Sequence, residues 1–199
     1  MKKKIIITGG LGYIGTELCK LYSGVSWYHN IIVIDNRFIS ERVNQIRNWN
    51  MEFIQGDILD TNLIRTYCKD ADVIHHLAGI TDVPRTRSES LKSQDEKIQE
   101  VGEKGTQNIL DTISDTCKII FPSTHVVYEK IKKVKTDIKE NEELKPILSY
   151  SSSKAFNENQ LKKSGKNFVI LRLGSVYGYS TDSMRIDIMP NLFSKIASQ

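Results

Sequence analysis

A tyrosine and a lysine four residues apart, Tyr150 and Lys154, are the side chains in this sequence best suited to acid–base chemistry. In a helix this spacing places both side chains on one face. A phenol with its ordinary pKa of about 10 is a poor base at neutral pH. A nearby ammonium favours the phenolate, so we expect Lys154 to lower the pKa of Tyr150 and make it able to take a proton from a substrate hydroxyl. Since this spacing is common in helices, the interpretation depends on the other motifs.

A glycine-rich segment, Thr8–Gly15, lies between a short apolar run and a helix-like stretch. Gly10, Gly12 and Gly15 have the spacing G-x-G-x-x-G, and Gly9, Gly12 and Gly15 have the spacing G-x-x-G-x-x-G. Glycine permits unusual backbone angles and a close approach of pyrophosphate to the main chain, while the following helix N-terminus supplies free N–H groups. The position after the first strand predicts a dinucleotide-binding loop, with a plain turn as the alternative.

An acidic residue, Asp35, follows the second apolar run, twenty residues beyond Gly15. A carboxylate at this place accepts hydrogen bonds from an adenosine ribose and repels a 2′-phosphate, which favours NAD over NADP. Arg37 keeps NADP open, because a guanidinium can pair with that phosphate. A loop or capping role for Asp35 is the alternative.

A pair of hydroxyl residues, Ser123 and Thr124, follows the fifth apolar run. Ligands of parallel sheets bind beyond the carboxyl ends of the strands, so a hydroxyl here can orient a substrate oxygen next to Tyr150. A turn or helix-cap hydroxyl is the alternative. By contrast, we interpret His75 and His76, which lie inside a strand-like run, as packed and hydrogen-bonded side chains.

Short, continuous apolar runs alternate with longer amphipathic stretches along the chain. The runs that predict strands are Lys4–Ile7, Ile31–Ile34, Met51–Ile54, Val73–Leu77, Lys118–Phe121 and Phe168–Leu171. The stretches that predict helices are 12–23, 39–48, 60–69, 91–114 and 148–164, with a last helix-like stretch at 191–197. Strands of this kind are buried on both faces, which predicts an α/β fold with a doubly wound, Rossmann-like parallel sheet flanked by helices.

Composition excludes several classes of protein. The 199 residues carry a net charge of only +4, with the charges interleaved, so we expect no nucleic-acid partner. No apolar run approaches the roughly 20 residues of a membrane span, and we expect a cytoplasmic protein with no membrane association. The three cysteines are isolated, which argues against a metal site or a disulfide framework. The charged segment 129–145 predicts an exposed loop rather than a partner-binding tail.

The motifs together resemble the extended short-chain dehydrogenase/reductase family, specifically its NAD-dependent epimerase/dehydratase group, and most closely the sugar-nucleotide 4-epimerases. The resemblance spans nearly the whole chain. It rests on Thr8–Gly15, Gly56–Ile58, His76–Gly79, Ser123–Tyr128, Tyr150–Lys154 and Leu171–Gly178.

The resemblance implies NAD as cofactor and a nucleotide sugar as substrate. The implied cofactor-binding residues are Gly9, Gly12, Tyr13, Ile14, Gly15, Asp35, Asn36, Asp57, Ile58, Leu77, Ala78, Gly79 and Lys154. The implied catalytic residues are Thr124, Tyr150 and Lys154, with Thr124 and Ser175 on the substrate side. The implied reaction is oxidation of a sugar C4 hydroxyl to a 4-keto intermediate, followed by return of hydride to its other face. A dehydratase, a reductase or a catalytically silent NAD-binding module are the alternatives.

The sequence departs from the family pattern at several positions. Glu129 stands where Val-Tyr is usually followed by Gly, Gly102 where a helix often has Asn, and Ser175 where a late loop often has Asn. Thr124 is followed by His125 and Val126 rather than by the Asp-Glu pair of 4,6-dehydratases. This last difference ranks epimerase above dehydratase.

Members of the family continue into a smaller C-terminal lobe that covers the nucleotide sugar. We therefore expect residues 1–174 to form the NAD-binding domain, and residues 175–199 to begin a substrate-binding region that is largely absent from a truncated chain. The resemblance also implies a possible homodimer through the long helices at 91–114 and 148–164.

Overall fold

The computed structural model describes residues 1–81, 91–131, 135–180, 185–186 and 188–199. Six strands alternate with helices along the chain. The strands are β1 (Lys4–Thr8), β2 (Asn30–Asp35), β3 (Glu52–Gln55), β4 (Val73–His76), β5 (Lys118–Thr124) and β6 (Asn167–Leu173). The helices are α1 (Tyr13–Ser23), α2 (Ser40–Asn48), α3 (Thr61–Cys68), α4 (Lys92–Thr112), α5 (Ser149–Lys163) and α6 (Met189–Ala197), with a 3-10 turn at His125–Tyr128.

All six strands form one parallel sheet in the order β3-β2-β1-β4-β5-β6. The order reverses direction between β1 and β4, which is where doubly wound sheets bind ligands. Thr8 at the end of β1 is in register with Ile34 and His76, and Thr124 at the end of β5 is in register with Leu173. The predicted fold class is confirmed, and Asp35 and Thr124 are the last residues of β2 and β5, at the carboxyl edge of this sheet.

Apolar side chains alternate between two cores, one on each face of the sheet, because successive strand residues point to opposite sides. Ile6 and Ile34 pack toward α3, α4 and α5, whereas Ile5 and Val33 pack toward α1 and α2. The three cysteines are buried thiols in these cores. Burial on both faces explains why the strands are continuous apolar runs.

The two histidines of β4 are buried and hydrogen-bonded, as the sequence predicted. His76 lies between two hydroxyls, with Nδ1 2.9 Å from Oγ1 of Thr8 and Nε2 3.0 Å from Oγ1 of Thr106. His75 has its Nε2 2.8 Å from the hydroxyl of Tyr22. Burial lowers the pKa of both imidazoles, with the Lys154 charge adding to the effect on His76.

Acid is expected to destabilise the protein through His76. Its pKa in the folded chain is about 3, against an ordinary value of 6.5. Between these pH values the unfolded chain binds a proton that the folded chain does not, so the free energy of unfolding falls as the pH falls, by up to about 1.4 kcal/mol per pH unit. Urea unfolding at several pH values between 7 and 4 measures the slope, which His76→Gln should flatten. His29→Gln, at the opposite edge of the sheet, should leave the slope unchanged; equal slopes in wild type and His76→Gln would contradict the assignment.

The charged segment 129–145 is mostly exposed in its described part, as predicted, but the chain anchors it at both ends. The backbone N–H of Lys145 donates to Val127 O at 2.8 Å, and that of Lys130 donates to Lys145 O at 3.0 Å.

The predicted last helix is also present and begins two residues early, at Met189, because Pro190 occupies its first turn, where proline is favoured. In the described part of the chain, no helix combines the length and the apolar character needed to cross a membrane.

Candidate functional site

The glycine-rich loop turns sharply from β1 into α1 and packs against the segment that follows β4. Gly9 has a φ of +71°, and a Cβ there would lie 2.7 Å from the backbone nitrogen of Ala78 and 2.9 Å from the carbonyl carbon of Leu77. A Cβ on Gly15 would lie 2.3 Å from the carbonyl oxygen of Gly9. Only glycine fits both places, because any Cβ there would collide with main-chain atoms.

The N-terminus of α1 has no side-chain cap. Gly12 is the N-cap residue and has no side chain to offer, and the first turn contains no acidic residue. The first N–H groups of a helix lack partners within the helix and carry partial positive charge. The backbone from Tyr13 to Gly15 is therefore available to a phosphate. The Tyr13 side chain has a separate role, because its hydroxyl donates to Gly178 O at 2.5 Å and ties the C-terminal segment to α1.

Asp35 is buried beside the glycine loop and accepts hydrogen bonds from its neighbours. Its Oδ2 accepts from the N–H of Leu11 at 3.0 Å, and its Oδ1 accepts from the N–H and Nε of Arg37 at 3.0 and 3.2 Å. The sequence placed Asp35 at the ribose of the adenosine. The structure places it at that edge, and shows the carboxylate already paired with Arg37.

Asp57 and Ile58, two further implied cofactor-binding residues, follow β3, one strand further out than Asp35. Asn36 donates from Nδ2 to Oδ2 of Asp57 at 3.3 Å, which joins the ends of β2 and β3. Ile58 is buried beneath α4, where its side chain fills the space left by Gly105. The side-chain amide of Asn108 donates to Ile58 O at 3.0 Å. Asn36 and Asp57 are thus open to a ligand, while the Ile58 side chain belongs to the core.

Tyr150 and Lys154 line a small cavity of about 20 Å³ together with residues that follow β4. The other lining residues are Ala78, Gly79, Ile80, Ile98, Gly102, Thr106, Phe121, Ser153 and Asn157. Lys154 donates from Nζ to Pro122 O at 2.9 Å and lies 4.4 Å from the ring centroid of Phe121. The structure therefore brings the predicted Tyr–Lys pair to the segment against which the glycine loop packs.

The expected effect of Lys154 on Tyr150 was wrong. Burial raises the pKa of Tyr150 above its ordinary value, and the charge that partly opposes this comes from Arg185. The Lys154 ammonium points to Pro122 O and lies 6.0 Å from the centroid of the Tyr150 ring. Burial also lowers the pKa of Lys154 to about 8, so this side chain is still mainly a cation at neutral pH.

Ser123 and Thr124 differ in their partners. The buried Ser123 hydroxyl donates to Oε1 of Glu158 at 2.7 Å, so its proton is not free for a ligand. Oγ1 of Thr124 accepts from the N–H of Val126 at 3.3 Å, and among the described residues its hydroxyl proton has no acceptor. This favours Thr124 as the hydroxyl that meets a ligand. Ser175 is exposed, two residues beyond Leu173, and does not line the Tyr150 cavity.

A buried ion pair behind the Tyr–Lys helix was not predicted from the sequence. Glu158 is fully buried and binds Arg172 of β6 at 2.6 Å, in addition to accepting from Ser123. Burial raises the pKa of Glu158, but hydrogen bonds from Arg172 and Ser123 outweigh it and leave the pKa below its ordinary value. The sequence did contain one indication that Glu158 lies near the site: it is four residues after Lys154 and therefore on the same face of the helix.

Glu129, a departure from the family pattern, holds the start of α5. Its Oε2 accepts from the N–H groups of Ile147 and Leu148 at 2.8 and 3.2 Å, and from the hydroxyl of Ser151 at 2.7 Å. Tyr150 lies between these residues. The carboxylate therefore connects the turn that follows Thr124 to the first turn of the helix that carries Tyr150, where a negative charge is favourable.

Glu129→Ala is expected to loosen the first turn of α5. The N–H groups of Ile147 and Leu148 keep Ser151 as an acceptor, so we expect a loss of about 1–2 kcal/mol in the free energy of unfolding. Urea unfolding measures it, and hydrogen exchange should quicken in peptides covering 147–153. Glu143→Ala removes an exposed carboxylate that pairs with Lys145 at 2.9 Å, and this control should change little. Equal exchange in the two variants would refute the capping role.

Comparison with protein families gives one match that spans nearly all of the chain. The model of the NAD-dependent epimerase/dehydratase family matches residues 5–199. Among curated relatives, dTDP-D-glucose 4,6-dehydratase of Dictyostelium discoideum is 28% identical over 197 residues, covering 88% of this chain and 44% of the relative. UDP-glucose 4-epimerase of Neisseria meningitidis serogroup C is 30% identical over 137 residues, covering 63% of this chain and 38% of the relative. The chain spans less than half the length of these relatives.

Solved structures resemble the fold over most of its length. UDP-N-acetylglucosamine 4-epimerase from Methanobrevibacter ruminantium, in complex with UDP-N-acetylmuramic acid, is 26% identical with a TM-score of 0.72, covering 100% of this chain and 64% of that one. UDP-glucuronic acid 4-epimerase from Bacillus cereus, in complex with NAD, is 25% identical with a TM-score of 0.71. The match covers 88% of this chain and 57% of that one. With its family-model match, sheet order and glycine loop, the chain belongs to the NAD-dependent epimerase/dehydratase family.

Proposed function

We propose that NAD binds along the carboxyl edge of the sheet, from Asp35 across the glycine loop to Lys154. The proposal is supported by a series of contacts along that edge. Gly9 leaves no room for a Cβ against Ala78, and Ala78 lines the same cavity as Tyr150 and Lys154. The uncapped α1 N-terminus suits the pyrophosphate, and Asp35 and Asn36 suit the adenosine end. The residues present therefore fit the cofactor of the family.

We propose that this site oxidises and reduces a carbon of a nucleotide sugar. Bound NAD supplies a hydride acceptor and donor. Tyr150 takes the proton of the sugar C4 hydroxyl and later returns it, while Thr124 donates a hydrogen bond to the same oxygen. Lys154, which is still mainly a cation at neutral pH, binds the nicotinamide ribose. The observation that carries this proposal is the shared cavity of Tyr150 and Lys154 next to the dinucleotide loop.

The specific reaction that we propose is 4-epimerisation, in which the 4-keto sugar rotates within the site and is then reduced on its other face. A 4,6-dehydratase is the second candidate, because the dehydratase of Dictyostelium discoideum matches 88% of the chain. Epimerisation is favoured by the residues after Thr124. His125 donates from Nδ1 to Leu173 O at 3.1 Å, and Val126 is apolar, so neither supplies the carboxylate that elimination of water needs.

The test is incubation of the chain with NAD and a panel of UDP-, GDP- and dTDP-sugars. An epimerase forms the C4 isomer with no net change in NAD, whereas a dehydratase forms a 4-keto-6-deoxy sugar that absorbs in alkali. Isomer formation by the wild type supports the proposal. The dehydration product supports the second candidate, and NAD binding without any product supports a silent binding module.

We also propose that residues 1–174 form the cofactor domain and that 175–199 begin the substrate-binding region. Support comes from hydrogen bonds between the two segments. The hydroxyl of Tyr13 in α1 donates to Gly178 O at 2.5 Å, and Nη1 of Arg185 donates to Thr81 O at 3.3 Å. A homodimer through α4 and α5 is a further proposal, and sedimentation velocity measures it.

A further inference from the structure

Thr8, the last residue of β1, holds the segment that follows β4. The backbone N–H of Leu77 donates to Thr8 O at 3.1 Å, and the N–H of Ala78 donates to Thr8 Oγ1 at 3.2 Å. Thr8 is fully buried. The orientation of its hydroxyl therefore fixes the backbone of Ala78, which lines the cavity of Tyr150 and Lys154.

The imidazole of His76 sets the orientation of that hydroxyl. Thr8 and His76 are in register on adjacent strands, with Nδ1 2.9 Å from Thr8 Oγ1. A hydroxyl has one proton and two acceptor sites, and the N–H of Ala78 occupies one acceptor site. If Nδ1 carried the ring proton, the buried Thr8 proton would have no acceptor among the described residues, which costs free energy. Thr8 therefore donates to Nδ1, and the proton of the neutral imidazole is on Nε2.

The other ring nitrogen of His76 reaches α4. Nε2 lies 3.0 Å from Oγ1 of Thr106 and donates its proton to that hydroxyl. Thr106 is buried and lines the same cavity as Tyr150. The hydrogen bonds thus run in one direction, from the N–H of Ala78 through His76 to Thr106. In the described part of the chain, the hydroxyl proton left without an acceptor belongs to Thr106, beside the cavity.

The same ring also supports the side chain against which Lys154 lies. The centroid of the His76 ring is 5.7 Å from that of Phe121, and Nζ of Lys154 is 4.4 Å from the Phe121 centroid. Burial, with the Lys154 charge adding to it, lowers the pKa of His76 to about 3, so the neutral ring does not repel the ammonium. His76 therefore contacts Thr8 on the glycine-loop side and Phe121 on the Tyr–Lys side of the cavity.

We propose that His76 is a positioning residue of the dinucleotide site, acting as a neutral imidazole protonated on Nε2. Through Thr8 it holds the segment 77–79 against the end of β1, and through Thr106 it fixes that segment relative to α4. It acts from behind the cavity and does not touch the cofactor. The inference rests on the proposed NAD site and adds to it a residue outside the cofactor contacts.

Nitrogen NMR of the isotope-labelled wild type reports the tautomer of His76 without any substitution. At pH 7 we expect a neutral ring with the proton on Nε2 and an unprotonated Nδ1. A proton on Nδ1, or a cationic ring at this pH, would overturn the proposal, because Nδ1 could not then accept from Thr8.

Calorimetric titration with NAD measures the positioning effect without any sugar substrate. His76→Leu removes both hydrogen bonds of the ring and should weaken NAD binding by about tenfold or more. His76→Asn places an amide oxygen close to the position of Nδ1, so it can accept from Thr8 and should restore the affinity to within about threefold of the wild type. Thr8→Val keeps the side-chain shape but leaves the N–H of Ala78 without its acceptor, and should weaken NAD binding as His76→Leu does.

His75→Leu is the matched control, because the adjacent side chain bonds to Tyr22 on the other face of the sheet. It should leave the affinity for NAD unchanged. Thermal unfolding identifies the folded variants, and Thr8→Val, the smaller change, decides the question if His76→Leu does not fold.

The outcomes separate this inference from the proposed function. Wild-type affinity for NAD in folded His76→Leu and Thr8→Val overturns the positioning role and leaves the dinucleotide site intact. A loss in His75→Leu as large as in His76→Leu also overturns it, because the effect would then reflect core packing in general. Failure of the folded wild type to bind NAD overturns both the positioning role and the proposed function.

Discussion

Replacing Tyr150 with phenylalanine is expected to lower kcat by about 10³-fold or more on whichever nucleotide sugar the wild type converts. The substitution removes the hydroxyl that moves the C4 proton and keeps the ring that lines the cavity. Affinity for NAD should change by no more than about threefold, because the glycine loop and Asp35 are untouched. Single-turnover measurement of isomer formation, with calorimetry for NAD, separates the two effects.

Tyr28→Phe is the matched control, because Tyr28 is 73% exposed and lies far along the chain from the cavity. It should retain wild-type turnover. If Tyr150→Phe converts the sugar at the wild-type rate, Tyr150 is not the proton-transfer group. If it loses NAD binding as well, the change has damaged the cofactor site and the fold should be checked by thermal unfolding.

Glu158→Ala is expected to destabilise the protein by about 3–5 kcal/mol. Arg172, only 13% exposed in its side chain, would keep its charge while losing the carboxylate that pairs with it. Removing one partner of a buried pair leaves an uncompensated charge, which explains the size of the effect. The Ser123 hydroxyl loses its acceptor in the same variant. Urea unfolding monitored by circular dichroism measures the change.

Glu158→Gln and Glu100→Ala are the controls for that measurement. Glutamine keeps an oxygen for Ser123 and should lose less than alanine. Glu100 pairs with Lys104 at 2.9 Å on the exposed face of α4, so its removal should change stability by less than about 1 kcal/mol. A Glu158→Ala loss no larger than that of Glu100→Ala would show that the buried pair contributes nothing net.

The features that the sequence predicted are those set by local pattern. β-branched runs produced buried parallel strands, and the glycine spacing placed a turn at the β1–α1 junction. The four-residue spacing brought Tyr150 and Lys154 to one cavity. Each of these depends on residues close together in the chain, which is why pattern alone was sufficient.

The features that the sequence did not predict depend on partners distant in the chain. Glu129 caps a helix whose first turn is about twenty residues later, and Glu158 meets Arg172 on the next strand. The direction of the Tyr150 pKa shift depends on how deeply the ring is buried, which spacing does not report. The pairing of Arg37 with Asp35 required side-chain geometry, although both residues stood out in the sequence.

The central claim is that one NAD molecule spans the sheet edge from the glycine loop to the Tyr–Lys helix. Calorimetric titration with NAD tests it on three proteins: the wild type, Lys154→Met and Lys163→Met. Lys163 is exposed in the last turn of the same helix and serves as the control. We expect one NAD per chain, with affinity reduced by about tenfold or more in Lys154→Met and unchanged in Lys163→Met. No binding to the folded wild type, or equal affinity in all three proteins, would contradict a cofactor site that reaches Lys154.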